Sequence, residues 1–408
     1  MIHFIRRFDH RLWILAGGWV ASAVGFSLAI PFMSLYFHGE LGLSLTFIGL
    51  YFGVAAVVRA VVQAMGGELS DKLGRYRLMV LAQFFRTITF IMLAGAIYYS
   101  LGFWIIGALV ILNSIFGAIF QPVANATVAD LTTKHDRAEG YAIVRVAGNF
   151  GWALGPAVGG YLAESSFAIL FIISGCMTLA SSTIIALFLK GIKTAGAFDE
   201  EPLRFRDILS IRKDRLFFRH VILLFFLYLA FAQIIAPFSL YVVDLIGLPK
   251  SQLGILFTLN GLLVAILQIP VTRMLKPVRL TIQMALGLAI HVIAFLMIGF
   301  SGTFIMFLIT MVILTLGEVF HSPPALSLTS NLAPEGRTGR YMGVYGFAVV
   351  AGWSMGPLLG GTLLDLTAPH YGIMWVIIAG LALATASGYY LLSKKMPYEK
   401  DTDRDDII

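Results

Sequence analysis

Long apolar runs separated by short polar connections dominate this chain, and none of the runs alternates between apolar and polar positions. Twelve of them stand out: 12–37, 46–69, 78–99, 103–129, 138–162, 167–190, 217–243, 251–272, 279–300, 303–329, 339–364 and 371–393. A helix crossing a hydrocarbon core of ~30 Å needs about 20 apolar residues, and each run meets that length. A membrane β-barrel would instead show alternating segments of about ten residues. The pattern therefore predicts an all-α membrane protein with twelve transmembrane helices. The first run is too long for the core of a signal peptide and is expected to be a retained span.

Composition sharpens this reading. Of 408 residues, 59% are hydrophobic and 12% are charged, about half the usual charged share of ~25%. So little charge cannot cover a soluble globule. A single cysteine, Cys176, cannot form an intramolecular disulfide. The net charge of +7 does not point to nucleic acid, because the cations sit between apolar runs. Of the 29 lysines and arginines, only Arg59, Arg86 and Arg145 fall deep inside spans, and Lys250 falls in an odd-numbered connection. The others lie at the termini or in and beside the even-numbered connections, which predicts both termini in the cytoplasm. The polar connection 191–216 divides the chain into bundles of six spans at 1–190 and 217–408 and reads as a cytoplasmic linker.

The two halves repeat. Pro31-Phe32-Met33-Ser34-Leu35-Tyr36 in span 1 answers Pro237-Phe238-Ser239-Leu240-Tyr241 in span 7, and Gly42-Leu43 and Gly49 answer Gly247-Leu248 and Gly254. Gly117, Phe120, Arg137 and Tyr141 recur as Gly317, Phe320, Arg337 and Tyr341. Gly151-Trp152, Gly155-Pro156 and Gly159-Gly160 recur as Gly352-Trp353, Gly356-Pro357 and Gly360-Gly361. An ordered series of this kind predicts two pseudo-symmetric six-helix bundles with a site near the membrane midplane, the plan of a rocker-type secondary transporter.

Between spans 2 and 3 stands Gly67-Glu68-Leu69-Ser70-Asp71-Lys72-Leu73-Gly74-Arg75-Tyr76-Arg77. Its glycines suit a tight reversal, Asp71 suits the positive end of a neighbouring helix, and Arg75 suits a carboxylate such as Asp130. The segment resembles the signature loop of the major facilitator superfamily. The resemblance implies a gating role for Gly67, Asp71, Gly74, Arg75, Arg77 and Asp130, which would hold the cytoplasmic side closed. The equivalent connection in the second half (Arg273, Lys276, Pro277, Arg279) lacks the aspartate and glycines.

In span 5, small residues at Gly151, Gly155, Gly159 and Gly160, with Pro156 among them, permit close helix packing and a bend. The segment is similar to the span-5 motif of the drug:proton antiporters in that superfamily, or serves plain packing, as its counterpart in span 11 suggests. Many such exporters carry an arginine in span 4, four residues before a glycine; here Asn113 stands there, before Gly117.

Charge inside the membrane is the best pointer to function, because each group costs ~2.5 kcal/mol or more there. Glu318 is the one carboxylate deep inside a span and is the candidate proton carrier, with His321 three residues on as a relay. A permanent ion pair and direct contact with a cationic substrate are the alternatives for Glu318. Arg59 and Arg145 suit an anionic substrate or a structural pair equally. Arg86 and His291 read as structural. Asn113, Asn149, Gln233, Asn260 and Trp353 complete the candidate substrate-binding set, while Gln121 and Gln268 read as helix-joining groups. A wall of Phe26, Phe32, Tyr36, Phe238, Tyr345 and Trp353 would suit an apolar ligand. No phosphate-cradling loop and no cysteine–histidine cluster is present, so neither ATP nor a metal is expected, nor any cofactor or enzymatic activity.

Taken together, the resemblance implies the major facilitator fold and proton-coupled antiport of apolar or amphipathic small molecules, drugs included, across a bacterial inner membrane. A proton-coupled transporter of an anionic metabolite or lipid is the alternative, and a transport-inactive receptor or scaffold a third reading. The expected partners are a small-molecule substrate, protons and the lipid bilayer, with the chain a monomer and no nucleic acid bound.

Overall fold

The structure, a computed structural model, describes residues 8–132, 137–190, 214–334 and 338–402, without the side chains of 64–68, 70–72, 137–139, 142 and 338–340. Twelve long helices follow one another: α1 His10–Leu35, α2 Leu45–Leu73, α3 Arg75–Tyr98, α4 Phe103–Leu131, α5 Arg137–Ser165 and α6 Phe167–Phe188 come first. Then come α7 Arg215–Phe231, α8 Lys250–Leu275, α9 Leu280–Phe300, α10 Phe304–Leu332, α11 Thr338–Leu366 and α12 Gly372–Ser393. No strand occurs among the described residues. Eleven of these segments are long and apolar enough to cross a membrane. The other, α5, is 29 residues long but carries Arg137, Glu139, Arg145 and Glu164 along its length. The protein is a multi-pass membrane protein.

Polar side chains start several helices. Asp9 accepts a hydrogen bond from the Arg11 N–H at 2.8 Å, and Asp214 from the Phe217 N–H at 3.1 Å. Ser166 and Thr303 do the same for α6 and α10. Each satisfies an N–H that the first turn leaves without an intrahelical partner.

α1 and α7 show where the repeats agree and part. Both end in a wide π turn, Tyr36–Glu40 and Tyr241–Leu245. A left-handed glycine follows each, Gly42 at φ 65° and Gly247 at φ 87°, where a side chain would be strained. α1 carries Pro31 without interruption. α7 stops at Phe231, passes through a tight turn Ala232–Ile234, and resumes as Ala236–Leu240. Pro237 has no N–H to donate to the carbonyl of Gln233, four residues before it, which removes a rung of the helical ladder at the break. The apolar pattern runs straight through and does not reveal it.

The chain groups into two compact units. Unit 1 comprises Met1–Leu43, Ala55–Phe198 and Val242–Gly261; unit 2 comprises Ser44–Val54, Asp199–Tyr241 and Leu262–Ile408. In unit 1, α1 packs on α5 and α6, and α3 on α4 and α6. In unit 2, α7 packs on α11 and α12, and α9 on α10 and α12. The same helix pairs recur, so the sequence repeat is a repeat of packing. Unit 1 has a core of Leu12, Leu15, Met79, Phe120, Val123 and Ile185. Unit 2 stacks Phe295 on the fully buried Trp375, which Phe238 meets edge-on.

Each unit also holds a matching cap. In unit 1 the Ser251 N–H at the start of α8 donates to Glu164 Oε1 at 2.9 Å. In unit 2 the Thr46 N–H and hydroxyl at the start of α2 donate to Asp365 Oδ2 at 2.8 and 2.6 Å. A carboxylate at a helix N-terminus satisfies a free donor and meets the positive end of the dipole. Replacing either acid by alanine is expected to cost about 1 kcal/mol, read as a small loss of thermal stability for Glu164→Ala and a similar one for Asp365→Ala.

Candidate functional site

The connection between α2 and α3 turns at Gly74, whose φ of 83° suits only glycine without strain. Arg75 follows, and its side chain is 4% exposed. It pairs with Asp130 at the end of α4, itself 1% exposed, with Nη1 2.5 Å from Oδ2, and it also donates to the Ala126 carbonyl. The pair expected from the sequence is thus formed. Arg77 is exposed. The side chains of Gly67 and Asp71 lie outside the described residues.

The small residues of α5 have assigned neighbours in unit 1. Gly151 faces Val20, Ala23 and Val24 of α1, Gly155 faces Ser27 and Leu28, and Gly159 faces Leu28 and Phe32. Ser27 donates to the Gly151 carbonyl at 3.1 Å, a bond available only because the backbones approach so closely. Gly160 faces Lys250 and Ser251 of α8, and the Pro156 carbonyl lies against Gly254. In unit 2, α11 repeats the scheme. Gly352 faces Phe225 and Leu229, Gly356 faces Ala232, Gly360 faces Gln233 and Pro237, and Gly361 faces Leu45 and Thr46. Both segments therefore seat two helices each.

A polar cluster occupies the interior of unit 1. Arg86, 4% exposed, donates from Nε to Asn113 Oδ1 at 3.4 Å and from Nη1 to Ser22 Oγ at 3.2 Å. Asn113 returns a hydrogen bond to the Arg86 carbonyl at 3.2 Å and another to Thr89 at 2.8 Å. Gln83 donates to the same Ser22 at 2.7 Å. Asn113 is therefore buried and holds Arg86 in place. The Arg86 guanidinium also lies over Gly117 and 5.1 Å from the centre of the Phe26 ring. Arg59 of α2 reaches the same ring at 5.3 Å. Trp152 of α5 meets it edge-on at 5.8 Å. Arg145 is exposed, and Asn149 and Asn260 are half-buried. These three do not join the cluster.

A second cluster lies in unit 2. His321 is fully buried, and neither ring nitrogen has a hydrogen-bond partner. Its ring lies 5.1 Å from that of His291 and 5.5 Å from Phe231. His291 bonds through Nε2 to the Leu314 carbonyl at 3.1 Å. Phe231 meets Trp353 at 5.6 Å, and the Tyr228 hydroxyl meets that of Tyr345 at 3.2 Å. Glu318, half-buried and engaged by neighbours, stands three residues from His321 on α10. Gln233 is fully buried and donates to the Leu229 and Gly356 carbonyls at 2.9 Å each. It pins α7 to α11, while its Oε1 has no hydrogen-bond partner among the described residues.

Two groups escape sequence reasoning. Arg86 reads as structural, and its contact with the Phe26 ring of α1, beside that with Phe90 of its own helix at 5.5 Å, is not visible in the sequence. His220 is an unremarked polar residue at the start of an apolar run, yet it is buried between Thr329 at 3.0 Å and the Tyr389 hydroxyl at 3.3 Å.

The chain matches the family model described as Major Facilitator Superfamily over residues 15–357 and 246–404. It is 30% identical over 401 residues to the MFS-type transporter YttB of Bacillus subtilis, covering 96% of this chain and 98% of that one. It is 24% identical to multidrug resistance protein MdtH of Photorhabdus laumondii, covering 89% of each. It is likewise 24% identical to quinolone resistance protein NorA of Staphylococcus aureus, covering 88% of this chain and 92% of that one. The fold is similar to that of a bacterial homologue of the human lysosomal transporter Spinster, with a TM-score of 0.77, 13% identity and coverage of 97% and 98%. A whole-chain family match and a repeated six-helix scheme lead to one conclusion: this chain belongs to the Major Facilitator Superfamily of membrane transporters.

Proposed function

We propose that the protein is a proton-coupled antiporter that exports apolar or amphipathic small molecules. The carrying observation is the interior cluster of unit 2, where Glu318 stands three residues from His321, itself against His291. Titratable groups are expensive inside a membrane and mark proton and substrate pathways. The names of MdtH and NorA, multidrug and quinolone resistance proteins, support export. In this reading the Arg75–Asp130 pair is the cytoplasmic gate, the membrane is a bacterial inner membrane, both termini are cytoplasmic, and the chain acts as a monomer. Trp353 and Phe231 offer an apolar wall beside the proton site. Linkage requires proton and substrate to weaken each other's binding by one common factor, typically about 5–150-fold.

The test is flux of an amphipathic fluorescent dye from proteoliposomes under an imposed pH gradient. The wild-type protein is expected to accelerate the flux, and Glu318→Gln to remove the acceleration while retaining dye binding. A wild-type protein indifferent to the gradient, or Glu318→Gln indistinguishable from it, sinks the reading.

A further inference from the structure

We propose that Arg59 and Arg86 form a binding site in unit 1 for the acidic group of an amphipathic organic anion, whose apolar body lies against Phe26 and Trp152. This rests on the transport reading above and names the charge of its substrate. Both arginines sit near the middle of their helices, Arg59 fifteenth of 29 residues in α2 and Arg86 twelfth of 24 in α3. Both guanidinium groups converge on one ring, at 5.3 and 5.1 Å.

Their charges are not balanced by any carboxylate among the described residues. Among the described residues neither arginine forms an ion pair. Arg86 is held by neutral partners, Ser22 and Asn113, and Arg59 has the Phe26 ring as its one partner. The described carboxylates of unit 1 are elsewhere. Asp9 caps α1, Asp130 pairs with Arg75, Glu164 caps α8, and Glu40 and Asp244 lie in the two π turns.

Two like charges sharing a low-dielectric interior repel each other, and an anion between them turns that repulsion into attraction. Planar guanidinium groups match the two oxygens of a carboxylate. The rings support each cation by cation–π attraction in the meantime. Arg86 is already fixed in place, so little ordering remains to be done on binding. Arg59 is half-buried and Trp152 is 36% exposed, which leaves the cluster approachable. The depth of both arginines argues against a bilayer headgroup as the occupant, since headgroups lie at the membrane surface.

The test measures equilibrium binding of 2-naphthoate and of its neutral analogue 2-naphthamide to the full chain in phosphatidylcholine nanodiscs. The acid is expected to bind at least about tenfold more tightly than the amide, the scale of one charge-assisted contact. Arg59→Gln is expected to remove most of that preference, and Arg59→Lys to keep part of it. Arg59 carries the test because Arg86→Gln also breaks the Ser22 and Asn113 bonds. Equal affinity for acid and amide, or an unchanged preference in Arg59→Gln, overturns the proposal. So does loss of naphthoate binding when phosphatidylglycerol is added, which would assign the site to lipid. Because no gradient is applied, the two readings fail separately. Dye antiport without acid preference removes only this site, and acid preference without gradient-driven flux removes only the antiporter.

Discussion

Asp130→Asn is expected to destabilise the protein by about 3–5 kcal/mol, the cost of leaving one partner of a buried ion pair behind. Arg75 and Asp130 are 4% and 1% exposed, and the neutral Ala126 carbonyl does not replace the lost charge. The measurement is thermal or denaturant unfolding in detergent, with Arg75→Leu and the double variant Arg75→Leu/Asp130→Leu alongside. The double variant is expected to be more stable than Asp130→Asn, because it removes both charges together. If Asp130→Asn unfolds with the wild type, the pair carries no stabilising coupling. In transport, the gating role predicts that the double variant shifts the balance of conformations even where its stability is close to normal.

The second large effect concerns Gly155. A Cβ there would lie 2.8 Å from the Leu28 backbone nitrogen and 2.9 Å from Ser27 Cβ, and would strike Ser27 Oγ. Rotating a side chain cannot relieve a clash with backbone, so α1 and α5 must separate. Gly155→Val is expected to cost about 3 kcal/mol, at the upper end for an overpacked interface, and Gly155→Ala less. Gly17→Ala is the control, since a Cβ there meets nothing within 4 Å. A Gly155→Val protein as stable as the control would show that the small residue is not needed for this packing. The same substitution at Gly356, which faces Ala232, is expected to behave alike in unit 2.

Much of this was legible in the order of residues. The spans were visible because a membrane demands uninterrupted apolar length, a one-dimensional property that needs no knowledge of neighbours. α4, expected at 103–129, runs Phe103–Leu131, and α9, expected at 279–300, runs Leu280–Phe300. The repeat was visible because the packing glycines recur at nearly constant spacing. Arg75 and Asp130 could be matched because both stand at span ends bordering even-numbered connections, and so on one side of the membrane. Interior partners were not legible. Asn113 and Gln233 look like free polar groups in sequence, and only three-dimensional packing shows their amide groups bonded to Arg86, Thr89 and main-chain carbonyls. The contact of Arg86 with Phe26 was hidden for the same reason, since that ring belongs to α1. The break in α7 lies just before Pro237, but Pro31 sits in α1 without any break, so a proline alone does not dictate one.

The division of α2 and α8 between the units has a consequence for how the chain is made. Unit 1 includes Val242–Gly261, and unit 2 includes Ser44–Val54. At a synthesis rate of about 5–20 residues per second, the start of α8 is made roughly 3–12 s after α6 is complete. Until then Gly160 and Glu164 have no α8 to receive. The start of α2 waits far longer, because Gly361 and Asp365 are added some 310 residues after it. The first bundle must therefore persist as a partly assembled nascent chain, with its closing helix still on the ribosome. A polypeptide ended after α6 would lack that segment permanently, whatever the stability of its own six helices.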